Sequence, residues 1–134
     1  MTEVIVDCNV ILDVVTKDEN WLTWSLAQLN TLSIESTLLA NPIIFAEVSS
    51  RYSRIEDVDE VFDGMQLAIE DIPRPALFLA GQAFKRYRDR GGERSGILSD
   101  FLIGAHAAVT GRALLTRDRG RFRSYFPTLN VITP

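Results

Sequence analysis

The amino-acid sequence predicts an α/β fold with a mainly parallel central sheet and helices on both faces. Short apolar runs rich in β-branched residues, such as residues 3–6, alternate with longer segments whose apolar residues recur at helical spacing. Strands that alternate with helices usually pair in parallel and form one layered domain. A chain of 134 residues can bury one hydrophobic core, so we predict a single domain over residues 1–134.

The order of the elements follows from these runs and from the capping residues between them. Strands are predicted over residues 3–6, 37–40, 67–72, 113–116 and 130–133. Helices are predicted over residues 9–15, 19–32, 42–52, 55–64, 75–90 and 99–110, with a short helical or irregular turn over 119–125. Asp18, Asn41 and Ser99 are the predicted N-caps, Pro42 suits a first helical position, and residues 93–98 are predicted to be a loop.

Composition narrows the class of protein. Apolar residues make up 46% of the chain, as in globular proteins, and no apolar run approaches the ~20 residues that span a bilayer. The N-terminus carries Glu3 and Asp7 and no basic segment, so we do not expect a signal peptide. The lone cysteine, Cys8, cannot form an internal disulfide, which suits a reducing compartment. We therefore predict a cytoplasmic protein that does not associate with membranes.

The charges are distributed unevenly along the chain. The net charge is -4, yet the stretch from Lys85 to Arg123 contains ten basic and four acidic residues. Twelve of the fourteen cations in the chain are arginines, whose planar guanidinium groups suit bidentate contacts with phosphates. This stretch is predicted to form a phosphate-binding rim, with Arg117 and Arg119 as candidate RNA contacts.

Four acidic residues are predicted to converge at one edge of the sheet. Asp7 and Asp118 come directly after, or just beyond, predicted strands, and Asp100 lies in the first turn of a predicted helix. Glu47 shares a helix face with Ile43 and Ile44. The carboxyl ends of the strands are where parallel α/β sheets bind ligands. Carboxylates held together among apolar residues repel each other unless a cation neutralises them, and a hard divalent ion is the natural partner.

Four sequence blocks, in this order, resemble those of PIN-domain nucleases, and most of all those of the VapC-type toxins of bacterial toxin–antitoxin pairs. They are Val-Ile-Val-Asp-Cys-Asn-Val-Ile-Leu-Asp at 4–13, Asn-Pro-Ile-Ile-Phe-Ala-Glu-Val at 41–48, Ser-Asp-Phe-Leu-Ile-Gly-Ala-His-Ala at 99–107 and Leu-Thr-Arg-Asp-Arg at 115–119. Each block alone is common, whereas four in order through nearly the whole chain are specific. The resemblance implies a PIN-like three-layer α/β fold.

The resemblance also implies a function and the residues that perform it. The family's metal-binding and catalytic acids correspond to Asp7, Glu47, Asp100 and Asp118, and its supporting polar residues to Asn9 and Thr116. We therefore expect a Mg²⁺- or Mn²⁺-dependent endoribonuclease that leaves 5′-phosphate and 3′-hydroxyl ends. The expected partners are the RNA substrate, a small antitoxin protein and a second copy of the chain in a homodimer. Cys8 stands where the family usually has threonine or serine.

Several other residues receive structural interpretations. Asp13 is expected on the solvent side of the first helix, and His106 is expected to be a packed or surface histidine rather than a ligand. Two predicted helices carry more large apolar residues than the edge of a small domain needs, so they are predicted to form an exposed interface. These residues are Trp21, Trp24, Leu26 and Leu29 in one helix, and Val58, Val61 and Phe62 in the other.

Two other functions remain open from the sequence. A phospho-accepting receiver module also places carboxylates and Mg²⁺ at strand ends, but it would have adjacent acids after the first strand and a lysine after a late strand. Here the first strand precedes Asp7, Cys8 and Asn9, and arginines stand where the lysine is sought. A PIN-like domain that only binds, and keeps its acids, is the second alternative.

Overall fold

The computed structural model describes residues 2–92 and 97–134. In chain order its elements are β1 (Thr2–Val6), α1 (Cys8–Val15), α2 (Leu22–Glu35), β2 (Ser36–Ala40), α3 (Pro42–Ser49), α4 (Ile55–Gly64), β3 (Ala68–Ile69), α5 (Arg74–Asp89), α6 (Ile97–Thr110), β4 (Ala113–Leu115), α7 (Arg121–Tyr125) and β5 (Val131–Ile132). Within the described residues, five strands form one parallel sheet in the order β3-β2-β1-β4-β5. The predicted α/β fold is confirmed.

The strand order determines where the functional end of the sheet lies. The chain adds strands in one direction from β1 to β3 and then returns to place β4 on the other side of β1. Right-handed crossovers put the helices of these two halves on opposite faces. The point where the direction reverses, between β1 and β4, opens a crevice at the carboxyl ends of these strands. Asp7 and residues 116–118 follow β1 and β4 at this crevice.

The burial of both faces of the sheet explains why the sequences of the central strands are continuous apolar runs. Helices cover both faces, so Ile5 and Val6 of β1 and Leu114 and Leu115 of β4 are all fully buried. Burial of a side chain of this size contributes roughly 1.5–3 kcal/mol to stability. The central strands are therefore a rigid base for the residues that follow them.

A tight contact between α6 and α7 fixes the short helix beside the crevice. Phe101 of α6 packs edge-on against Tyr125 of α7, with ring centroids 4.9 Å apart. A Cβ atom added at Gly104 would lie 2.6 Å from the Phe126 ring and 2.9 Å from that of Phe122. Only glycine permits this approach, so the sequence at position 104 determines how closely α7 packs on α6.

The helix boundaries confirm some predicted signals and correct others. The Asn41 side chain accepts a hydrogen bond from the Ile44 amide, as expected of an N-cap, and α4 has the predicted bounds. The prediction that Ser99 caps α6 is wrong, because α6 already includes Ile97. Residues 97–98 are thus helical rather than loop, and the rest of the predicted loop, residues 93–96, lies outside the described residues. Asp18 accepts from the amides of residues 20 and 21, but this turn precedes α2 instead of starting it.

The third strand is also shorter than predicted. The sequence predicts a strand over residues 67–72, whereas β3 contains only Ala68 and Ile69. β3 is an edge strand, and its partner β2 ends at Ala40, opposite Ile69, because the chain turns into α3 at Pro42.

The predicted apolar interface on α2 and α4 is wrong for three of its seven residues, whereas Leu26 is exposed and Trp21, Trp24 and Val61 are partly buried. Leu29, Val58 and Phe62 are buried in the core, and Phe62 packs edge-on against Phe45 of α3. Leu26 and Ile34 of α2 remain exposed, Ile34 to 81%. No helix among the described residues has the length and apolarity that a membrane crossing requires.

Candidate functional site

Asp7 lies at the centre of the crevice between β1 and β4. It follows the last residue of β1, and its amide donates to the carbonyl of Leu115 in β4 at 2.9 Å. Its side chain accepts from the Cys8 amide at 2.7 Å and so caps α1. The carboxyl is 5% exposed and points into the protein rather than into water. A single residue thus joins the central strand pair to the first helix.

Two polar side chains hold the second oxygen of Asp7. The Thr116 hydroxyl donates to Oδ2 at 2.7 Å, and the Asn9 amide donates to the same atom at 3.3 Å. Asn9 Nδ2 also lies 3.3 Å from the Thr116 hydroxyl, which accepts in turn from the Asp118 amide at 3.1 Å. Asn9 and Thr116, predicted as supporting residues, therefore lie in direct contact with Asp7.

The environment of Asp7 disfavours its ionised form. Burial, helped by the charges of Asp100 and Glu47 and opposed by the hydrogen bonds from Thr116 and Cys8, raises the pKa of Asp7 to about 7. Burial likewise raises the pKa of the Cys8 thiol to about 12, so this cysteine is not a nucleophile. A cation placed beside Asp7 would relieve this penalty.

Glu47 and Asp100 face the same crevice from α3 and α6. The Ser99 hydroxyl donates to Glu47 Oε2 at 3.4 Å, which links the two helices. Burial raises the pKa of Glu47, and the charge of Asp100 raises it further. Burial also raises the pKa of Asp100 although Arg121 donates to it, and the charge of Asp118 adds to the rise. These effects connect all four predicted acids electrostatically.

The Asp118 side chain binds two backbone amides of the turn that follows it. Its Oδ1 accepts from the amides of Gly120 and Arg121, both at 3.0 Å, and so organises the turn into α7. Its carbonyl accepts from the Thr133 hydroxyl at 3.4 Å. The loop between β4 and α7 is thereby fixed at the edge of the crevice.

The four side chains fit a divalent cation in chemistry, but they do not yet enclose one. All four donors are carboxylates, the oxygen ligands that Mg²⁺ and Mn²⁺ prefer. Over residues 2–92 and 97–134, no three acidic, histidine or cysteine side chains are grouped closely enough to hold one ion as they stand. Asp100 instead pairs with Arg121, and Asp118 bonds the amides of its own turn. These contacts occupy Asp100 Oδ2 and Asp118 Oδ1, so an ion that used either oxygen would have to displace its present partner.

Arg117 and Asp13 form a buried pair that the sequence did not predict. Asp13 is expected from the sequence to face solvent, but it is 2% exposed and accepts from the Ser25 hydroxyl at 2.7 Å. The Arg117 guanidinium donates to both Asp13 oxygens, at 2.8 and 3.0 Å, and lies 5.2 Å from the Trp21 ring centre. Asp13 comes three residues after the buried Val10, and this helical spacing is the signal from which its buried face could have been predicted.

Arg119 and Arg121 contrast with Arg117. Arg119 is exposed, and no hydrogen bond or ion pair of its side chain occurs among the described residues. The Arg121 guanidinium lies on Asp100, with Nη1 2.6 Å from Oδ2. Of the two predicted RNA contacts, the Arg117 guanidinium therefore already has a carboxylate partner. The Arg119 guanidinium has none among the described residues.

The basic end of α5 lies beside the first turn of α6. The Tyr87 ring is 5.6 Å from that of Phe101, the residue after Asp100, and the Arg90 guanidinium lies 5.9 Å from the Tyr125 ring. Arg94, also part of the predicted rim, lies outside the described residues. The exposed cations on this end of α5 are Lys85, Arg86, Arg88 and Arg90.

His106 belongs to a polar network that the sequence did not reveal. It is fully buried, as the packed interpretation predicted, with Nδ1 3.0 Å from Asn41 Nδ2 and Nε2 2.8 Å from Glu70 Oε1. Glu70 also pairs with Arg112 at 2.7 Å. Although burial opposes it, the hydrogen bonds from Arg112 and His106 lower the pKa of Glu70. The network connects the start of α3, which carries Glu47, to α6, which carries Asp100.

The raised pKa of Asp7 predicts a pH dependence of stability in metal-free protein. Because the folded pKa of about 7 exceeds the ordinary 3.8, the folded chain binds more protons than the unfolded chain between these values. Stability should therefore fall as pH rises through this window, by on the order of 2–3 kcal/mol between pH 5 and 8. Urea unfolding in EDTA measures this difference. In Asp7→Asn the fall should be smaller by that amount, and an identical pH profile in both proteins would contradict the assigned cause.

The described residues form an all-parallel α/β domain whose acidic residues lie at its topological switch point. Comparison with known families identifies the family. A model of the PIN domain matches residues 4–125, so this chain belongs to the PIN-domain family. No curated protein sequence matches the chain.

Solved structures of toxin–antitoxin complexes share the fold. A chain of VapBC2 from Rickettsia felis, bound to a DNA fragment from its promoter, has a TM-score of 0.73 at 19% identity, with 98% of each chain covered. A chain of DNA-bound VapBC from Salmonella typhimurium has a TM-score of 0.68 at 19% identity, with 99% of this chain and 98% of that one covered. A chain of FitAB, bound to an IR36 DNA fragment, has a TM-score of 0.69 at 21% identity, with 97% and 94% covered.

Proposed function

We propose that this PIN-domain protein is a Mg²⁺- or Mn²⁺-dependent endoribonuclease and the toxin of a toxin–antitoxin pair. The observation that carries the proposal is the buried carboxyl of Asp7 at the β1–β4 crevice, with its pKa raised to about 7 by burial and by two further acids. An ionised carboxylate is costly at this depth beside two further acids, so a cation that neutralises it is its natural partner. Membership of the PIN-domain family supports nuclease chemistry at this crevice.

The proposed mechanism assigns the ion to Asp7, Glu47, Asp100 and Asp118. A divalent ion held by these carboxylates would supply Lewis-acid chemistry, which activates water and offsets the charge that develops on the phosphate. Thr116 and Asn9 hold the Asp7 carboxylate in one orientation through hydrogen bonds of 2.7 and 3.3 Å. Such supporting contacts fix ligand geometry and are worth about 10–100-fold in metal affinity or activity.

The arginines are proposed to bind the RNA backbone. Phosphate contacts orient the substrate without reading its sequence, so this surface favours no particular RNA. We assign the strongest contacts to Arg119 and to the cations at the end of α5, because their guanidinium and ammonium groups have no ion-pair partner among the described residues. Arg117 stays a candidate contact, but its pairing with Asp13 gives it a structural role as well.

The strand order counts against the receiver alternative. Receiver modules of the flavodoxin-like type have the order 2-1-3-4-5, whereas this sheet has the order β3-β2-β1-β4-β5. A domain that binds RNA without cutting it remains the second candidate, because the acids are not yet arranged around an ion.

A cleavage assay tests the proposed function. Total cellular RNA, which removes the need to know the target, is incubated with the purified protein in Mn²⁺, in Mg²⁺ and in EDTA. We expect new RNA fragments in the two metals only, with 5′ ends that a ligase accepts without prior phosphorylation. Binding of RNA without fragments in any metal would favour the binding-only domain. Fragments in EDTA would contradict the metal-dependent mechanism.

The toxin role adds two proposed partners. A small antitoxin encoded beside this chain should co-purify with it and suppress cleavage, and copurification without suppression would contradict the pairing. A homodimer is proposed as well, with the exposed Leu26 and Ile34 of α2 as candidate contacts. Light scattering tests it, and a monomer mass at high micromolar concentration would refute it. A cytoplasmic location stays a prediction.

A further inference from the structure

One residue contacts two of the four acids at once. Arg121 is the first residue of α7, and its backbone amide donates to Asp118 Oδ1 at 3.0 Å. Its guanidinium Nη1 lies 2.6 Å from Asp100 Oδ2, an ion pair between α7 and α6. Among the described residues, Arg121 is the cation that forms an ion pair with one of the four acids.

The packing of α7 against α6 positions the Arg121 side chain beside Asp100. The next residue, Phe122, is 2% exposed, and Gly104 allows the Phe122 and Phe126 rings to lie directly on α6. The backbone of α7 is therefore fixed by packing, whereas the Arg121 side chain lies at the surface. The side chains of Arg121 and Asp100 are 42% and 27% exposed, so water can replace the ion pair without unfolding the helix.

We propose that Arg121 is a resident counter-cation of the acidic site, which competes with the divalent ion for Asp100 and, once displaced, binds an RNA phosphate at the rim. The inference rests on the proposed metal-dependent function. A guanidinium bound to Asp100 Oδ2 blocks that oxygen as a ligand and repels a second cation nearby. When the ion takes Asp100, the guanidinium loses its carboxylate and remains beside the site, where RNA phosphate is an alternative anion. The exchange leaves a cation beside Asp100 in both states.

A structural alternative makes the opposite prediction for metal affinity. If Arg121 merely ties α7 to α6, its removal loosens the turn that holds Asp118 and should weaken ion binding. If Arg121 competes with the ion, its removal should strengthen ion binding. The direction of the change therefore separates the two roles, independently of any loss of activity.

Isothermal titration of Mn²⁺ into the full chain without RNA tests the proposal. Arg121→Gln removes the charge at similar length, and Arg123→Gln is the matched control, because the Arg123 guanidinium donates to the Val131 carbonyl and forms no ion pair with an acid in the described part of the chain. We expect Arg121→Gln to bind Mn²⁺ up to about fivefold more tightly than wild type, which corresponds to the upper value of about 1 kcal/mol that is typical of exposed ion pairs. Arg123→Gln should bind it within about twofold of wild type. Arg121→Lys, which retains the charge, should lie between wild type and Arg121→Gln.

Steady-state kinetics at saturating Mn²⁺ supply the second readout. Arg121→Gln should raise the KM for RNA by about threefold or more, since a charged contact to phosphate is lost. Weaker or unchanged Mn²⁺ binding in Arg121→Gln would overturn the inference, as would equal tightening in both variants, because that would be a general effect of net charge. An unchanged KM would overturn the rim contact. If wild type binds no Mn²⁺, or Asp7→Asn binds it equally well, the proposed site itself fails.

Discussion

Asp7→Asn and Asp100→Asn are each expected to lose at least about a hundredfold of metal-dependent RNA cleavage while remaining folded. Asparagine keeps the size of the side chain and one oxygen, but it removes the negative charge that would hold the ion. The substitution at Asp7 also removes a negative charge that burial and two neighbouring acids disfavour. The free energy of unfolding of Asp7→Asn in EDTA at pH 8 should therefore be no lower than that of wild type. Cleavage rates in Mn²⁺ and urea unfolding in EDTA measure both expectations.

A matched control separates this loss from a general effect of net charge. Asp59 is exposed on α4, in a helix that contributes none of the four acids, so Asp59→Asn removes the same charge from a different surface. This variant should cleave RNA at the wild-type rate. If Asp7→Asn and Asp100→Asn also retain full cleavage, the four-acid site is wrong. If Asp7→Asn is inactive because it has unfolded, the unfolding curve reports that directly.

Arg117→Met is expected to destabilise the protein by about 3 kcal/mol, far more than an ordinary surface substitution does. The change leaves the Asp13 carboxylate, whose side chain is 3% exposed, with the Ser25 hydroxyl but without its cation. It also removes the guanidinium from the Trp21 ring. The cost arises because a buried charge without its partner is far less stable than the same charge in water. Urea unfolding at neutral pH measures it.

Arg119→Met and a double substitution provide the controls. Arg119 is exposed and unpaired among the described residues, so Arg119→Met should change stability by less than about 0.5 kcal/mol. It should instead reduce, by about one, the slope of the logarithm of the RNA-binding constant against the logarithm of salt concentration. In a double-mutant cycle, Asp13→Asn together with Arg117→Met should cost less than the sum of the two single changes. Wild-type stability of Arg117→Met would show that the pair contributes nothing and would leave Arg117 as a surface residue.

The order and type of most elements follow from local signals in the sequence. α4 has its predicted bounds, and Asn41 caps α3 as predicted, because capping and periodicity depend on a few neighbouring residues. The positions of Asp7 and Asp118 at strand ends are equally local, and the parallel sheet then places them at one edge. The acids could thus be proposed as one site before their distances were known.

Only the tertiary structure decided which side chains the acids and cations contact. Asp13 finds its cation in Arg117, 104 residues further along the chain, and no local pattern encodes such a pair. The Arg121 contact to Asp100 depends on how closely α7 packs on α6, which the glycine at position 104 permits. Periodicity in a sequence predicts the face on which a residue lies, but not the residue that another element brings against that face. Long-range packing therefore determines which of the arginines are structural and which remain free to meet an anion.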